Sequence, residues 1–340
     1  VVSNESFMPE NVFSNLKIRG SWGQLGNDRV DPFQYVGAFG YSNGWVIDGN
    51  DARGIAATTT PNPNITWEVS ETTDIGLEVG LLDNRLTFET DVYRTKTSDI
   101  LGTRQASIPG YTGLVLPDEN IGEIEFQVGY KQNFGELNMR LSGNYSYNEN
   151  EIIFFDEVPQ AEPYQKLEGN PIGSELVYKA IGIYRTQADL DNNVNYANAS
   201  LGGLIFEDLN DDGVIDGNDR YRFEASGFPK SQFGFTMGLD YKSFDLTMLV
   251  QGQDGAKWRL DNGFSTGANG NGLEYVANNS YSLDNVDAIL PRIRPTGVAA
   301  ENNDFWYRNS TWLRFKSFEL GYNFPQDVMT QIGISGLRLY

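Results

Sequence analysis

The sequence predicts an all-β fold, an antiparallel transmembrane β-barrel of the outer-membrane type that is incomplete in this chain. Three observations predict it. Apolar and polar residues alternate with period two over segments of about ten residues, as in strands with two unlike faces. The connections between these segments are by turns very short and very long, as in barrels with tight turns at one end and loops at the other. No apolar run approaches the ~18–20 residues a membrane helix requires, although aromatic residues are 13% of the chain.

Each element follows from its own pattern. Near the start Leu16, Ile18, Gly20 and Trp22 alternate with Lys17, Arg19, Ser21 and Gly23. Ile75, Leu77, Val79 and Leu81 form a second apolar row, and Leu86, Phe88, Thr90 and Val92 a third. Leu137, Met139, Leu141, Gly143, Tyr145 and Tyr147 oppose Asn138, Arg140, Ser142, Asn144 and Ser146. Phe233, Phe235, Met237, Leu239 and Tyr241 alternate with Gly234, Thr236, Gly238, Asp240 and Lys242, and Phe244, Leu246, Met248 and Val250 continue the pattern. In Trp312 to Phe324 the phase slips between Leu313/Phe315 and Phe318/Leu320/Tyr322, which places a bulge at Lys316 or Ser317. No comparable stretch favours the helical period.

The short links are Asp83-Asn84, Asn133 to Glu136 and Lys242-Ser243. The long ones cover about 26–73, 96–122, 148–230 and 252–311, and the barrel reading places them outside the cell. Residues 1–340 then form part of one barrel domain with roughly ten strands. The apolar rows suit lipid and the polar rows a watery lumen. Tyr145, Tyr147, Tyr241, Tyr322 and Phe324 sit near strand ends, as interfacial aromatic belts do. A soluble β-sandwich alternates in the same way, but its loops would outweigh it and its strands would be too few.

Composition excludes several functions. The chain has no cysteine and no histidine, so neither a Ser–His–Asp or Cys–His arrangement nor a zinc site of Cys or His ligands can form. Lys plus Arg is 25 and Asp plus Glu is 46, a net charge of 25 − 46 = −21. That balance argues against a nucleic-acid partner, which requires clustered cations. Val1 to Phe7 has neither a basic n-region nor an apolar h-region, so the N-terminus reads as mature or internal. Among the many carboxylates no pair stands out as a glycosidase couple, and Gly267 to Gly272 is a loose glycine loop with no preceding strand to mark a nucleotide site. The chain reads as a non-enzyme.

The stretch Asp208 to Asp219 has the form of a calcium loop. Asp208, Asn210, Asp212, Asp216 and Asp219 stand at loop positions 1, 3, 5, 9 and 12, Gly213 marks the sharp turn, and Val214 offers a backbone carbonyl. Position 12 is Asp rather than Glu, with shorter reach. No helical period flanks it, so this is a calcium-type loop without an EF-hand, expected to hold a structural Ca²⁺ that folds a loop tip. The long connections also carry Tyr41, Trp45, Trp258, Phe264, Tyr275, Tyr281, Trp306 and Tyr307 among Asn, Asp and Gly. Of these, Trp45, Trp258, Tyr275, Trp306 and Tyr307 are the candidates for stacking on sugars or peptides.

Several blocks carry a resemblance to a known family. They are Asn62-Pro-Asn-Ile-Thr-Trp67-Glu68, then Gly80-Leu-Leu-Asp-Asn84-Arg85-Leu with Tyr93 to Asp99, then Asn120-Ile-Gly-Glu-Ile-Glu125. Further on come Tyr241-Lys-Ser-Phe-Asp245 with Gln251-Gly252, and Ser310-Thr-Trp-Leu-Arg314 with Glu319 to Pro325 and Leu337 to Tyr340. In order and spacing the chain resembles the C-terminal half of the barrel of SusC/RagA-type TonB-linked outer-membrane transporters of Bacteroidota, and the Asp-rich stretch is one that family commonly carries. The resemblance implies energised import of glycan or peptide nutrients, TonB acting through a plug region that these residues do not include, and a SusD-like surface lipoprotein as lid. It implies a multi-pass barrel in the cell outer membrane, in contact with lipid, and a chain that is part of a longer polypeptide. A siderophore importer fits less well, because basic lumenal clusters are not evident. The reading from another class is a calcium-dependent carbohydrate-binding or adhesion β-domain at the cell surface, and a surface glycosidase is a third.

Overall fold

A computed structural model describes residues 2, 5, 12–29, 35–41, 45–47, 49–52, 54–59, 61, 65–100, 102–103, 114–115, 118–155, 157, 159–260, 273–293 and 302–340. Side chains are described for all of these except 45–47, 50–52, 58–59, 102–103, 114–115 and 118–121.

The first strand, β1 (Asn15–Asn27), is followed by the short strands β2 (Ala38–Tyr41), β3 (Trp45–Ile47), β4 (Asn50–Ala52) and β5 (Ile55–Thr59). Next come the hairpin β6 (Glu68–Leu81) and β7 (Leu86–Ser98), the two-residue β8 (Gly102–Thr103) and β9 (Leu114–Val115), and the hairpin β10 (Asp118–Phe134) and β11 (Leu137–Phe154). The following connection holds β12 (Ser174–Tyr178), β13 (Ala180–Ile183), β14 (Leu204–Phe206) and β15 (Arg220–Glu224). A last hairpin, β16 (Ser231–Tyr241) and β17 (Phe244–Asp254), leads through β18 (Lys257–Arg259) and β19 (Tyr307–Asn309) to β20 (Trp312–Asn323) and β21 (Arg338–Leu339).

One antiparallel sheet runs in the order β1-β6-β7-β10-β11-β16-β17-β20-β21. Among the described residues it has nine strands against the ten or so expected, and the ninth is two residues long. The sheet is open. Among the described residues the far edge of β1 has no partner strand, and β20 meets β21 through Tyr322 and Asn323 alone. It is therefore part of a barrel wall, since lipid tolerates no free backbone edge.

The register makes the two faces continuous. Leu141 stands opposite Met237, Met237 opposite Met248, and Met248 opposite Phe318. Further along, Phe126 faces Tyr145 and Ile18 faces Leu77. The apolar rows thus join into one belt, and its side chains are open: Ile18 is 62% exposed and Phe318 67%. Leaving such a face in water forgoes ~25 cal/mol per Å² of apolar surface, whereas hydrocarbon covers it without cost. The expected bulge is present. Leu249 pairs with Ser317 and Val250 with Phe315, so Lys316 has no opposite residue, and Phe315 and Phe318 fall on one face despite their odd spacing.

The short turns coincide with the expected links. Leu82, Asp83 and Asn84 take positive φ between β6 and β7, Gly135 (φ 64°) turns β10 into β11, and Lys242 (φ 53°) turns β16 into β17. The long connections are shorter than expected, 28–67, 99–117, 155–230 and 255–311, because the ladders continue past the alternating apolar rows. In β11, for instance, Asn148, Glu149 and Asn150 still pair with Glu123, Gly122 and Ile121.

Among the described residues the packed clusters of buried apolar side chains lie in the long connections. Tyr178, Ile183, Tyr184, Tyr196, Leu204 and Phe206 pack together with Ile215 and Tyr281. Short helices punctuate this cap, one of them α1 (Gln187–Asn192), started by a reciprocal capping box between Thr186 and Asp189. Among the described residues no helix is long and apolar enough to cross a membrane.

Candidate functional site

The polar face of the sheet and the cap above its loop ends form the candidate site. On the polar face, charged side chains pair across strands. Arg19 on β1 bonds to Glu78 on β6 and to Asp91 on β7. Arg140 on β11 bonds to Asp240 on β16 at 2.6 Å, and Arg338 on β21 reaches Asp245 on β17. Tyr93 donates to Glu123. Glu89, Asp91, Glu125, Gln127, Asn144 and Ser146 line a groove of about 310 Å³ on this face. The wall is therefore wet, acidic and cross-braced, as a lumen surface must be where lipid is absent.

The cap is tied together by Asp304. One carboxylate oxygen accepts the N–H of Ala180 at 2.8 Å and the other the hydroxyl of Tyr221 at 2.9 Å, which joins the two longest connections. Burial, with Asp304 beside it, pushes the Tyr221 hydroxyl well above its ordinary pKa. Burial also raises Tyr184 to about 12. Both phenols stay neutral and act as packing and donor groups. Nothing in the sequence marked Asp304, which resembles any loop aspartate.

The aromatic candidates separate. Trp258 is 67% exposed and Tyr275 57%, so both present a ring to solvent. Trp306 and Tyr307 do not. Trp306 packs with Val276 and Leu290, and its ring meets Phe305 edge-on. Tyr307 lies against Phe223, with the Arg259 guanidinium over its ring. The expectation that these two stack on a substrate is corrected by their burial: they hold the cap together. The side chain of Trp45 and the whole of Phe264 lie outside the described residues.

The Asp-rich loop folds on its own backbone. Asp208 accepts the N–H of Gly213 at 2.8 Å, and Asp212 that of Val214 at 2.9 Å, while Asn210 Nδ2 donates to Asp212 at 2.9 Å. Asp216 caps the turn Gly217–Asp219 through the N–H of Asn218. Asp219 is fully buried, and its two oxygens accept the N–H groups of Leu209 (2.9 Å) and Asp216 (2.7 Å). Burial pushes its carboxyl above the usual range; those N–H groups pull it back, and Asp208 and Asp212 push it further up. The donor set consists of hard oxygens under mutual repulsion, which suits a divalent cation. Among the described residues no group of three or more acidic side chains is already drawn together as a metal site. Gln165 and Tyr164 clamp the loop by bonding to the carbonyls of Gly217, Asn218 and Arg220.

A cavity of about 500 Å³ opens where the cap meets the ends of β7 and β11, lined by Ile152, Ile172, Ser174, Arg222 and their neighbours. Sequence reading missed it, since its walls come from segments far apart in the chain. A glycine within an alternating strand, such as Gly76, was the one available sign of the braces on the polar face.

Comparison with known proteins supplies the family. The model described as TonB dependent receptor-like, beta-barrel matches residues 11–337. TonB-dependent receptor P3 of Formosa agariphila is 28% identical over all of this chain and 35% of its own length. TonB-dependent receptor SusC of Bacteroides thetaiotaomicron is 26% identical, again over all of this chain and 35% of its own. A solved structure of the RagAB peptide transporter superposes with a TM-score of 0.71 at 19% identity, over 99% of this chain and 37% of that one. The chain thus spans about a third of the length of the relatives it matches.

Proposed function

The chain belongs to the TonB-dependent receptor β-barrel family, and from that premise we propose that it supplies part of the wall and the outer cap of an importer for oligosaccharide or peptide nutrients. The family consists of outer-membrane barrels that transport rather than catalyse. The observation that carries the proposal is the two-faced sheet: a register-matched apolar belt on one side, a braced acidic wall on the other, and a packed cap at the loop ends. A soluble carbohydrate-binding or adhesion domain would have to bury that belt.

In this reading a plug elsewhere in the full-length protein receives the pull of TonB, and a SusD-like lipoprotein covers the cap. The likeness to SusC and to the RagAB peptide transporter supports both the partner and the nutrient class. Trp258 and Tyr275 are the exposed rings available to substrate or lid. The Asp208–Asp219 loop holds one Ca²⁺ through Asp208, Asn210, Asp212, Asp216, Asp219 and the carbonyl of Val214, which would relieve the repulsion around Asp219.

The test is uptake by cells carrying or lacking the full-length protein, with affinity purification of the protein in detergent. Nutrient uptake that requires both the protein and TonB, and co-purification of a surface lipoprotein, are expected. A protein that stays soluble without detergent, or uptake indifferent to its loss, would overturn the proposal.

A further inference from the structure

The cavity between cap and barrel has walls of one chemistry and a rim of another. Ile100, Ile152, Phe155, Leu167 and Ile172 make the walls; Glu157, Gln160, Ser174 and Arg222 stand beside them. Ile152 shares its side of β11 with Asn144, Ser146 and Asn148, so the cavity opens on the polar, lumenal side of the sheet. The site is built rather than incidental. The segment after Leu167 is strapped to β11 by Ile152 N–H to Asn170 carbonyl (3.0 Å), Gly169 N–H to Ile152 carbonyl (2.9 Å) and Ile172 N–H to Asn150 Oδ1 (2.7 Å). Arg222 is held in place by donating Nε to the Gln165 carbonyl at 2.9 Å. Glu157 is already engaged, since both its oxygens accept the Leu167 N–H. Ser174 is 9% exposed, and its hydroxyl oxygen has no hydrogen-bond partner.

We infer that this cavity is a subsite for one aliphatic side chain of an extended peptide, with the peptide backbone passing Ser174 and Arg222. The inference rests on the importer reading and narrows its substrate class. The walls decide between peptide and glycan. A sugar ring set against the four aliphatic side chains would leave the hydroxyls on that side without partners, and a buried polar group left unpaired loses the hydrogen bonds it made to water. A leucine or isoleucine side chain brings no polar atom and matches the wall. The backbone beside it brings one carbonyl, which a guanidinium donor satisfies, and one N–H, for which the buried, unpartnered Ser174 oxygen is an acceptor once its side chain turns toward the cavity. Burial lowers the Arg222 pKa, with Glu157 countering it, and the group remains a cationic donor at neutral pH.

The experiment uses the full-length transporter with its lipoprotein partner, purified in detergent. Binding is measured for dye-labelled Gly/Ser peptides that carry a single central Leu, Ala or Asp, and for an unlabelled maltooligosaccharide as competitor. Leu is expected to bind about tenfold or more tighter than Ala, as buried methylenes discriminate, with Asp weaker still and no competition from the sugar. Ile172→Trp, which fills the cavity, should abolish the Leu preference, and Ser174→Ala should weaken all three peptides a few-fold. Equal binding of the three peptides to the unmodified protein, or displacement of the Leu peptide by the sugar, overturns the inference without reliance on any variant. TonB-dependent uptake measured on the same cells separates the two readings. Uptake of oligosaccharide with no Leu preference removes the peptide subsite and leaves the importer. No dependence of uptake on the protein removes the importer and the subsite with it.

Discussion

Arg19 on β1 and Asp91 on β7 are ion-paired although their strands are not neighbours, with Arg19 Nε 3.1 Å from Asp91 Oδ1. The pair passes over β6 at Gly76, which stands opposite both Arg19 and Asp91. A Cβ at position 76 would collide with both side chains. The same device recurs at the other end of the sheet, where the Arg338–Asp245 pair lies over Gly321. Each glycine lets a charged pair lie flat on the wall and brace three strands, leaving the lumen clear above it.

Gly76→Val should therefore separate Arg19 from Asp91 and overpack the wall, lowering barrel stability by about 1–3 kcal/mol. Gly23→Ala, at a position with nothing within 4 Å of the added carbon, is the neutral control. Denaturant unfolding followed by the electrophoretic mobility shift of folded barrels measures both. Equal midpoints for Gly76→Val and the parent would show that the brace does not matter.

The belt predicts lipid contact residue by residue. Met237 sits between Leu141 and Met248 on the adjacent strands, while Thr236 sits between Ser142 and Leu249 on the opposite face. Met237→Arg should cost about 2–4 kcal/mol near the bilayer midplane, and Thr236→Ser little. Cysteines at the two positions provide a separate check: a membrane-impermeant thiol reagent should label position 236 through the lumen and not 237. The opposite labelling would reverse the faces.

Loop length sets the orientation. An epitope tag at Ala197, in the 155–230 cap, should be detected on intact cells. Tags at Asn84 or Ser243, in the tight turns, should be detected only after the outer membrane is breached. A tag at Asn269, expected to behave like Ala197, falls outside the described residues. Surface detection at Asn84 would invert the topology.

Asp189 gives the cap a pH dependence. Its carboxylate accepts the backbone N–H groups of Thr186 and Arg185, which hold its pKa below the usual carboxylate range. A depressed folded-state pKa contributes stability above the unfolded pKa and loses it as pH falls through the folded one. Protection from hydrogen exchange over Gln187–Asn192, taken relative to the intrinsic rate at each pH, should hold at neutral pH and fall only below about pH 4, the ordinary Asp range. Asp189→Asn should remove that acid transition, and a transition of unchanged midpoint in the variant would assign it to another group.

How much was legible in the sequence depended on whether the signal was periodic. Period two shows the strands, their faces and even a bulge at Lys316 or Ser317, which the register places at Lys316, because one residue out of phase moves every later side chain to the other face. The strand ends were less visible, since above the lipid the ladder continues without an apolar row, as at Asn148 to Asn150. Trp306 and Tyr307 are buried where the sequence points to ligand contact, because an aromatic in a loop looks the same in sequence whether it packs inward or faces a ligand. The braces over Gly76 and the cavity at Ser174 depend on which strands stand beside one another, which no local window contains.

The calcium loop can be tested so that metal and turn are distinguished. The loop already has a hydrogen-bonded frame in which Asp219 ties Leu209 to Asp216 from a fully buried position. Asp219→Ala should loosen residues 208–219 with or without a cation, and so says nothing about metal. Asp212 is different: it is exposed, and its carboxylate accepts from the Val214 N–H and Asn210 Nδ2 within the loop, while its backbone N–H, which a substitution keeps, donates to Asp208 and Asn210. If Ca²⁺ sits among these oxygens at about 2.3–2.6 Å, chelation of the unmodified protein should speed hydrogen exchange over 208–216, calcium should restore protection, and Asp212→Ala should lose the response to calcium. The barrel should be untouched throughout, because the loop lies in the cap and none of its residues belongs to the sheet. If the loop moves the lid, chelation should also weaken lipoprotein binding. Exchange that ignores both chelator and calcium would leave a self-sufficient turn and remove the metal.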